Sequence, residues 1–402
     1  MFDRLIQFVR EQYRTNDFIP LHAPVFIGRE SEYVAETITS TFVSSVGRFV
    51  DRFEAQIAAY TGSPRAVATM NGTAALHVAL MLAGVKQGDL VITQPLTFVA
   101  TCNAIVYCGA EPVFVDVDRH TLGLSPAAVD AWLEQWARLD DDGLCRLKHG
   151  DRIVRACVPM HTFGHPVDLD GLVKVCRKWN LALVEDAAES LGSFYKRRHT
   201  GTFGLLGTLS FNGNKIVTTG GGGMVLADET LGARAKHITT TAKAAHAYEY
   251  VHDAVGFNYR MPNLNAALGC AQMENLETFL AAKRALAARY AEHLNGGPLQ
   301  FVSEPPDCRA NYWLIAVICE DQEQRDALLK ATNEQGVMSR PIWRLMHRLP
   351  MYSHCRKGDL TNAEWLEARV VNLPSSVITE QDGTTPRHMP SDFVHGFQKG
   401  DA

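Results

Sequence analysis

The 402-residue chain has nine cysteines and no C-x-x-C pair among them, so neither a zinc site nor a disulfide framework is implied. The thiols read as reduced core residues of a cytoplasmic protein. No run is long and apolar enough to span a bilayer, and the opening MFDRLIQFVREQYRTND spaces its apolar residues among charges, unlike the apolar core of a secretory signal. A formal net charge of -5 with both signs interspersed leaves no basic stripe for nucleic acid and no polybasic segment for a membrane. Internal repeats and low-complexity tracts are missing. No G-x-G-x-x-G follows a strand and opens a helix, which argues against a nicotinamide-binding domain.

What is there points to two domains. Seven short runs (AVATM, LVIT, PVFVDVD, IVRACVP, LALVED, GTLSF and GMVLA) alternate with helical stretches between residues 66 and 230. Several are β-branched and apolar on both faces, as in a mostly parallel sheet covered by helices on both sides. Residues 264–294 form the longest helical stretch and suit a connector to a smaller α+β domain. The expected division is a large domain over residues 1–260 and a small one over 261–402.

The chemistry centres on SFNGNKIVTTGGGGMV, where Lys215 stands between an asparagine-rich turn and four glycines. Glycine packs nothing and loses much backbone entropy on folding, so Gly220 to Gly223 are not expected within a strand or helix; they mark a close approach. Four other stretches bear on the lysine. Asn71-Gly72-Thr73 lies between a strand and a helix, where free N–H groups suit a phosphate, or where Thr73 simply caps the helix. The strand LALVED ends in Glu185 and Asp186, followed by Glu189; carboxylates beyond a strand's carboxyl end face a site in open α/β sheets, although Asp186 could equally cap the next helix. Ser210 closes another strand, and Asn258, Tyr259 and Arg260 cluster before the long helical stretch. A phosphate cradle, an acid and a lysine are together what pyridoxal 5′-phosphate (PLP) needs: an anchor, a partner for its ring nitrogen, and an amine for its aldehyde.

These stretches, with FIPLHAP, FVSSVGRFVDRFEAQIAAYTGS, NGTAALH, PLTFVATCNAI, VEDAAESLGS, GFNYRMPNLNAALG and SRPIWRLMHRLPMY, resemble the DegT/StrS family of PLP-dependent nucleotide-sugar aminotransferases, of fold type I. The resemblance covers nearly the whole chain. It implies that Lys215 forms a Schiff base with PLP and that Asp186 pairs with the ring nitrogen. Gly72, Thr73 and Ser210 would hold the phosphate, Phe98 would stack on the ring, and Glu189 would touch the ring hydroxyl where many relatives use glutamine. Asn258 would reach the phosphate of a neighbouring subunit in a homodimer with shared sites. His161, Tyr259, Arg260, Arg340 and His347 are candidates for gripping the substrates. Many relatives read TGEGG where this chain reads TTGGGG, and the all-glycine form with HAPVFIGRE and SRPIWRLMH is most similar to the LegC-like branch. That branch implies amino transfer from L-glutamate to C4 of a UDP- or GDP-linked 4-keto-6-deoxy-2-acetamido hexose. Within the same fold the alternatives are a sugar dehydratase, which carries histidine in place of Lys215, and a non-catalytic PLP-binding sensor, which has little use for Lys215 and Asp186.

Overall fold

The computed structural model describes residues 2–378. The seven apolar runs of the sequence become one seven-stranded sheet, ordered Arg65–Thr69, Gly223–Ala227, Leu206–Ser210, Ala182–Asp186, Val154–Val158, Leu90–Thr93 and Glu111–Phe114. Gly223–Ala227 is antiparallel to both of its neighbours, and the remaining pairings are parallel. Successive side chains point to opposite faces. Val67, Val91, Val184 and Val225 therefore pack under the helices Gly72–Leu82 and Val99–Tyr107. Ala66, Ala68, Met224 and Leu226 pack on the other side against Phe49 and Phe53 of Arg48–Thr61 and Ala266 and Cys270 of Asn263–Glu274. Farther along that face, Leu183, Ile92 and Val113 meet Leu133 and Leu172. Burial on both faces is why the strands read as unbroken apolar runs.

A second sheet, ordered Gln300–Phe301, Ile315–Ile318, Val370–Leu373 and Arg340–Pro341, is antiparallel throughout. With the helices Gln322–Glu334 and Thr361–Glu367 it makes a smaller unit. We propose that the chain divides near residue 260, with two segments packing across that point. The helix Asp3–Tyr13 buries Leu5, Ile6 and Val9 against Tyr290, Leu294 and Val371 of the small unit, whereas Asn263–Glu274 belongs to the core of the large one. The end of the expected second domain, beyond residue 378, lies outside the described residues.

One expectation is corrected. The stretch 264–294 is not one helix but two, Asn263–Glu274 and Leu276–Leu294, broken at Asn275. There the Asn275 amide donates to the Ala271 carbonyl at 3.2 Å, a local bond that competes with helix continuation. Gly223 opens the strand of the GMVLA run and pairs with Thr69 and Ser210. Its lack of a side chain is still required, because a Cβ there would lie 2.4 Å from the Asn71 carbonyl oxygen. Of the four glycines only Gly220 has a positive φ, +76°. Gly223→Ala must push the Asn71 backbone away, and a loss of about 1–3 kcal/mol is expected from such overpacking. Denaturant midpoints measure it, and a wild-type midpoint would contradict the close approach.

Candidate active site

The parallel strands deliver their carboxyl ends to one edge of the sheet, where ligands of open α/β folds bind. At the end of Arg65–Thr69 the chain turns through Asn71 into the helix Gly72–Leu82. Asn71, not Thr73, is the cap: its side chain accepts from the Ala74 N–H at 2.8 Å, and its carbonyl accepts from Ala75 at 3.1 Å. The N–H groups of Gly72 and Thr73 are left as the open donors of the first turn, at the positive end of the helix dipole. Ser210 arrives from Leu206–Ser210 and lies so close that a Cβ on Gly72 would stand 3.1 Å from its Oγ. The open N–H groups of the helix start and the Ser210 hydroxyl thus lie side by side, the kind of donors an anion requires.

Ala182–Asp186 ends in two carboxylates on opposite faces. Glu185 is fully buried and accepts from the backbone N–H groups of Gly201, Phe203 and Gly204 at 2.7, 2.6 and 2.7 Å. His161 Nε2 adds a fourth contact at 3.1 Å, while its Nδ1 accepts from the Val167 N–H, so the hydrogen-bond network places the proton on Nε2. Burial pushes the Glu185 pKa up, but the bonds from His161 and the loop amides outweigh it and hold the carboxyl below the ordinary 4.5. Asp186 faces the other way. Its Oδ2 accepts from Thr101 Oγ1 at 2.7 Å and its Oδ1 from the Ala188 N–H at 3.2 Å. Burial raises the Asp186 pKa against the pull of Thr101, and no ion pair reaches it among the described residues. A carboxylate in this condition is stabilised by a cation placed beside it.

Lys215 extends from the loop between Leu206–Ser210 and Gly223–Ala227. The loop is closed by Phe211 N–H to Gly222 O at 2.8 Å and braced by Asn265 Nδ2 on Thr219 O at 2.7 Å. Lys215 Nζ lies 3.4 Å from Glu189 Oε1 and 3.9 Å from the centroid of the Trp313 ring. Burial pushes Glu189 up to about 7, against the lowering effect of Lys215; its Oε2 accepts from the Phe163 N–H at 2.9 Å. Phe98 precedes the helix that carries Thr101 and is half exposed, with Trp343 at 6.5 Å and Phe163 beyond it.

Asp186, Glu189 and Lys215 gather at the carboxyl edge of the sheet, Phe98 precedes the helix that carries Thr101, and Gly72, Thr73 and Ser210 lie together at the start of the helix Gly72–Leu82. Residues 258–260 run along the outside of Arg65–Thr69, with Met70 N–H on Tyr259 O and Arg260 Nε on Asn258 Oδ1 at 3.1 Å. Three candidates stand elsewhere. His161 has no exposed surface and both nitrogens engaged, so it grips Glu185 and no substrate. Arg340 turns to Asn333 Oδ1 and Ser339 O at the edge of the small sheet. His347 is buried near Phe114 with Glu364 at 3.9 Å. Sequence reasoning missed Thr101, one turn beyond Phe98, and Trp313, which reads as core inside an apolar strand.

A lysine amine, a buried acid lacking its cation, and an anion cradle on the carboxyl edge of a mostly parallel sheet define a lysine enzyme of fold type I. The model of the DegT/DnrJ/EryC1/StrS aminotransferase family matches residues 26–385, and the chain belongs to that family. It is 37% identical over 360 residues to a GDP-perosamine synthase of Escherichia coli O157:H7, covering 89% of this chain and 93% of the relative. It is 36% identical over 370 residues to one from Caulobacter vibrioides, with 90% and 95% covered. Among solved structures it superposes on the aminotransferase TlmJ from Streptoalloteichus hindustanus with a TM-score of 0.80, at 29% identity, covering 89% and 93% of the two chains. Aminotransferases of this family depend on PLP. The residues fit that group: a cradle that a Cβ on Gly72 would fill, and a buried carboxylate that a protonated ring nitrogen would satisfy.

The Glu185 network carries a pH signature. A carboxyl whose folded pKa is depressed stabilises the fold fully above its ordinary value, and that contribution is lost as pH falls through the folded one. Melting temperature should drop on acidification below pH 4.5, and Glu185→Gln should flatten that slope. Glu185→Ala orphans the buried Gly201 N–H and the partly buried Phe203 and Gly204 N–H groups and should cost about 3 kcal/mol. Urea titration across pH reads both effects, and a wild-type acid slope in Glu185→Gln would contradict them.

Proposed function

We propose that this protein transfers the amino group of L-glutamate to C4 of a nucleotide-linked 4-keto-6-deoxy hexose, with PLP held by its own residues. It is an aminotransferase by family, and a nucleotide sugar is the acceptor class. In support, the two relatives above carry GDP and a sugar in their names. A 2-acetamido group on the sugar, and service in amino-sugar or nonulosonic-acid biosynthesis, rest on the resemblance of TTGGGGM and SRPIWRLMH to the LegC-like branch. The nine free cysteines suit a reducing cytoplasm.

The observation that carries the reading is Asp186, a buried carboxylate with two donors and no cation, on the same edge as Lys215. Bound there, PLP supplies an aldehyde that carries the amino group between donor and acceptor and a ring that draws electrons from the reacting carbon. Asp186 keeps the ring nitrogen protonated. Gly72 and Thr73 present N–H groups, and Thr73 and Ser210 hydroxyls, to the phosphate. Phe98 would pack on the ring and Glu189 would meet its hydroxyl. Lys215 Nζ would hold the aldehyde in the resting enzyme and carry protons at the carbon bearing the amine. Arg260, beside the end of Arg65–Thr69, faces the nucleotide sugar, whereas the Tyr259 ring turns to His77 and Phe257, with its hydroxyl 3.3 Å from His77 Nδ1. Asn258 reaches the phosphate of a partner subunit; the loop leading to it leaves Tyr248, Tyr250 and Val255 more than four-fifths exposed, an apolar surface that a second copy would cover.

Purified protein with glutamate and a panel of UDP- and GDP-linked 4-ketosugars should yield 2-oxoglutarate and a C4 amino sugar in equal amounts, identified by NMR. Amination at C3, or turnover of simple keto acids alone, would overturn the substrate assignment. Lys215→Ala should lose turnover and the absorbance of lysine-bound PLP; a fully active variant would overturn the site. Asp186→Ala should lose rate far more than stability.

Sharing of sites has its own test. Mixed after subunit exchange, inactive Lys215→Ala and Asn258→Ala proteins should regain activity, since one site of each heterodimer holds both residues. No recovery after demonstrated exchange would confine Asn258 to its own subunit.

A further inference from the structure

Trp313 belongs to the small unit, yet its ring lies under the lysine of the large one. The segment before the strand Ile315–Ile318 is fastened across the junction by Asn311. This fully buried residue donates through Nδ2 to the carbonyls of Glu189 and Leu191, both at 2.9 Å, and through its N–H to Ser193 Oγ at 3.0 Å. Asn311 Oδ1 accepts from the Trp313 N–H at 2.8 Å. Tyr312, between them, has a φ of 49°, a left-handed conformation that a bulky residue keeps only where its surroundings over-determine it. Phe163, whose N–H holds the Glu189 carboxylate, shows the same strain with a φ of 56°. The result is a nearly buried indole whose Nε1 donates to Asn214 O at 2.7 Å, one residue before the lysine, and whose face lies 3.9 Å from Lys215 Nζ. Glu189 Oε1 stands 3.4 Å from the same nitrogen. A carboxylate and an aromatic face both attract a cation.

We propose that Trp313 is a positioning residue that, with Glu189, forms a parking site for the Lys215 ammonium while the lysine is detached from the cofactor. The proposal rests on the PLP reading above. When a donor amine replaces the lysine, a bond forms from the donor nitrogen to the cofactor carbon as the bond from that carbon to Nζ breaks. With the carbon–nitrogen double bond protonated before and after, two of the three protons of the incoming ammonium end on Nζ. The lysine then leaves as a cation, and no oxidant or further reactant is needed. Over the indole that cation is held away from the carbon it has left, and once it has given one proton to water the neutral amine can take the proton of the donor carbon. Because Asn311 ties Trp313 to the Glu189 turn, the small unit sets the place of the lysine.

The test uses the full-length apoprotein, with its lysines reductively methylated by ¹³C-formaldehyde and the Lys215 resonance assigned by its absence from Lys215→Arg. The indole face should shift that resonance upfield. Trp313→Leu should abolish the shift, and Trp313→Phe, which keeps an aromatic face, should retain part of it. In the PLP-loaded protein, stopped-flow mixing with glutamate should show the lysine-displacement half-reaction slowed about tenfold in Trp313→Leu and about twofold in Trp313→Phe, with PLP affinity unchanged. An unshifted Lys215 resonance in the wild type, or a half-reaction in Trp313→Leu as fast as wild type, would overturn the proposal. A shifted resonance in a wild type that takes up no PLP would instead overturn the cofactor reading, and the parking role with it, so the two failures give different results.

Discussion

The Glu185 carboxylate is the fixed point of this site. It gathers three backbone N–H groups and an imidazole in a fully buried position, so two loops, one from His161 and one through Gly201 and Gly204, converge on a single side chain. Its neighbour Asp186 inherits that rigidity through the strand. Since successive side chains point to opposite faces, one residue holds the scaffold and the next presents a charge, and neither can move without the other. The division of labour explains why two adjacent carboxylates differ, the first held below its ordinary pKa by four donors and the second raised by burial against fewer of them.

The hydrogen-bonded chain behind Asp186 extends this rigidity outward. Thr101 receives its own partner from Thr97 at 2.7 Å, and Thr97 reaches Met160 Sδ at 2.9 Å. All are buried. A network of this kind is stable only when every member is satisfied, which leaves the acid little freedom to retreat from whatever occupies the pocket.

Much of the large unit was legible because each strand is buried on both faces and announces itself as an apolar run between helices. The lysine, the acid and the cradle were legible for a related reason: polar residues and glycine at the carboxyl ends of such runs have no packing role to explain them. The failures are equally physical. His161 looks like a ligand-gripping residue because a polar ring among apolar neighbours carries no mark of the buried carboxylate that satisfies it. Trp313 was invisible because an aromatic residue in an apolar strand reads as core, and only the fold brings it over a lysine almost a hundred residues earlier in the chain. The break at Asn275 depends on one side-chain bond that helical periodicity does not encode.

The single reversed strand of the large sheet has a kinetic meaning. Gly223–Ala227 pairs with Leu206–Ser210 through a short connection, whereas every parallel pairing must wait for a crossover of many residues to close. Loop-closure entropy makes sequence-local pairings the least demanding to form. The segment that bears Lys215 is the connection of the most local pairing in this sheet, so the amine can be presented before the neighbouring strand that supplies its acid has paired. In this protein the nucleophile is set in the part of the sheet that needs the least of the rest of the chain.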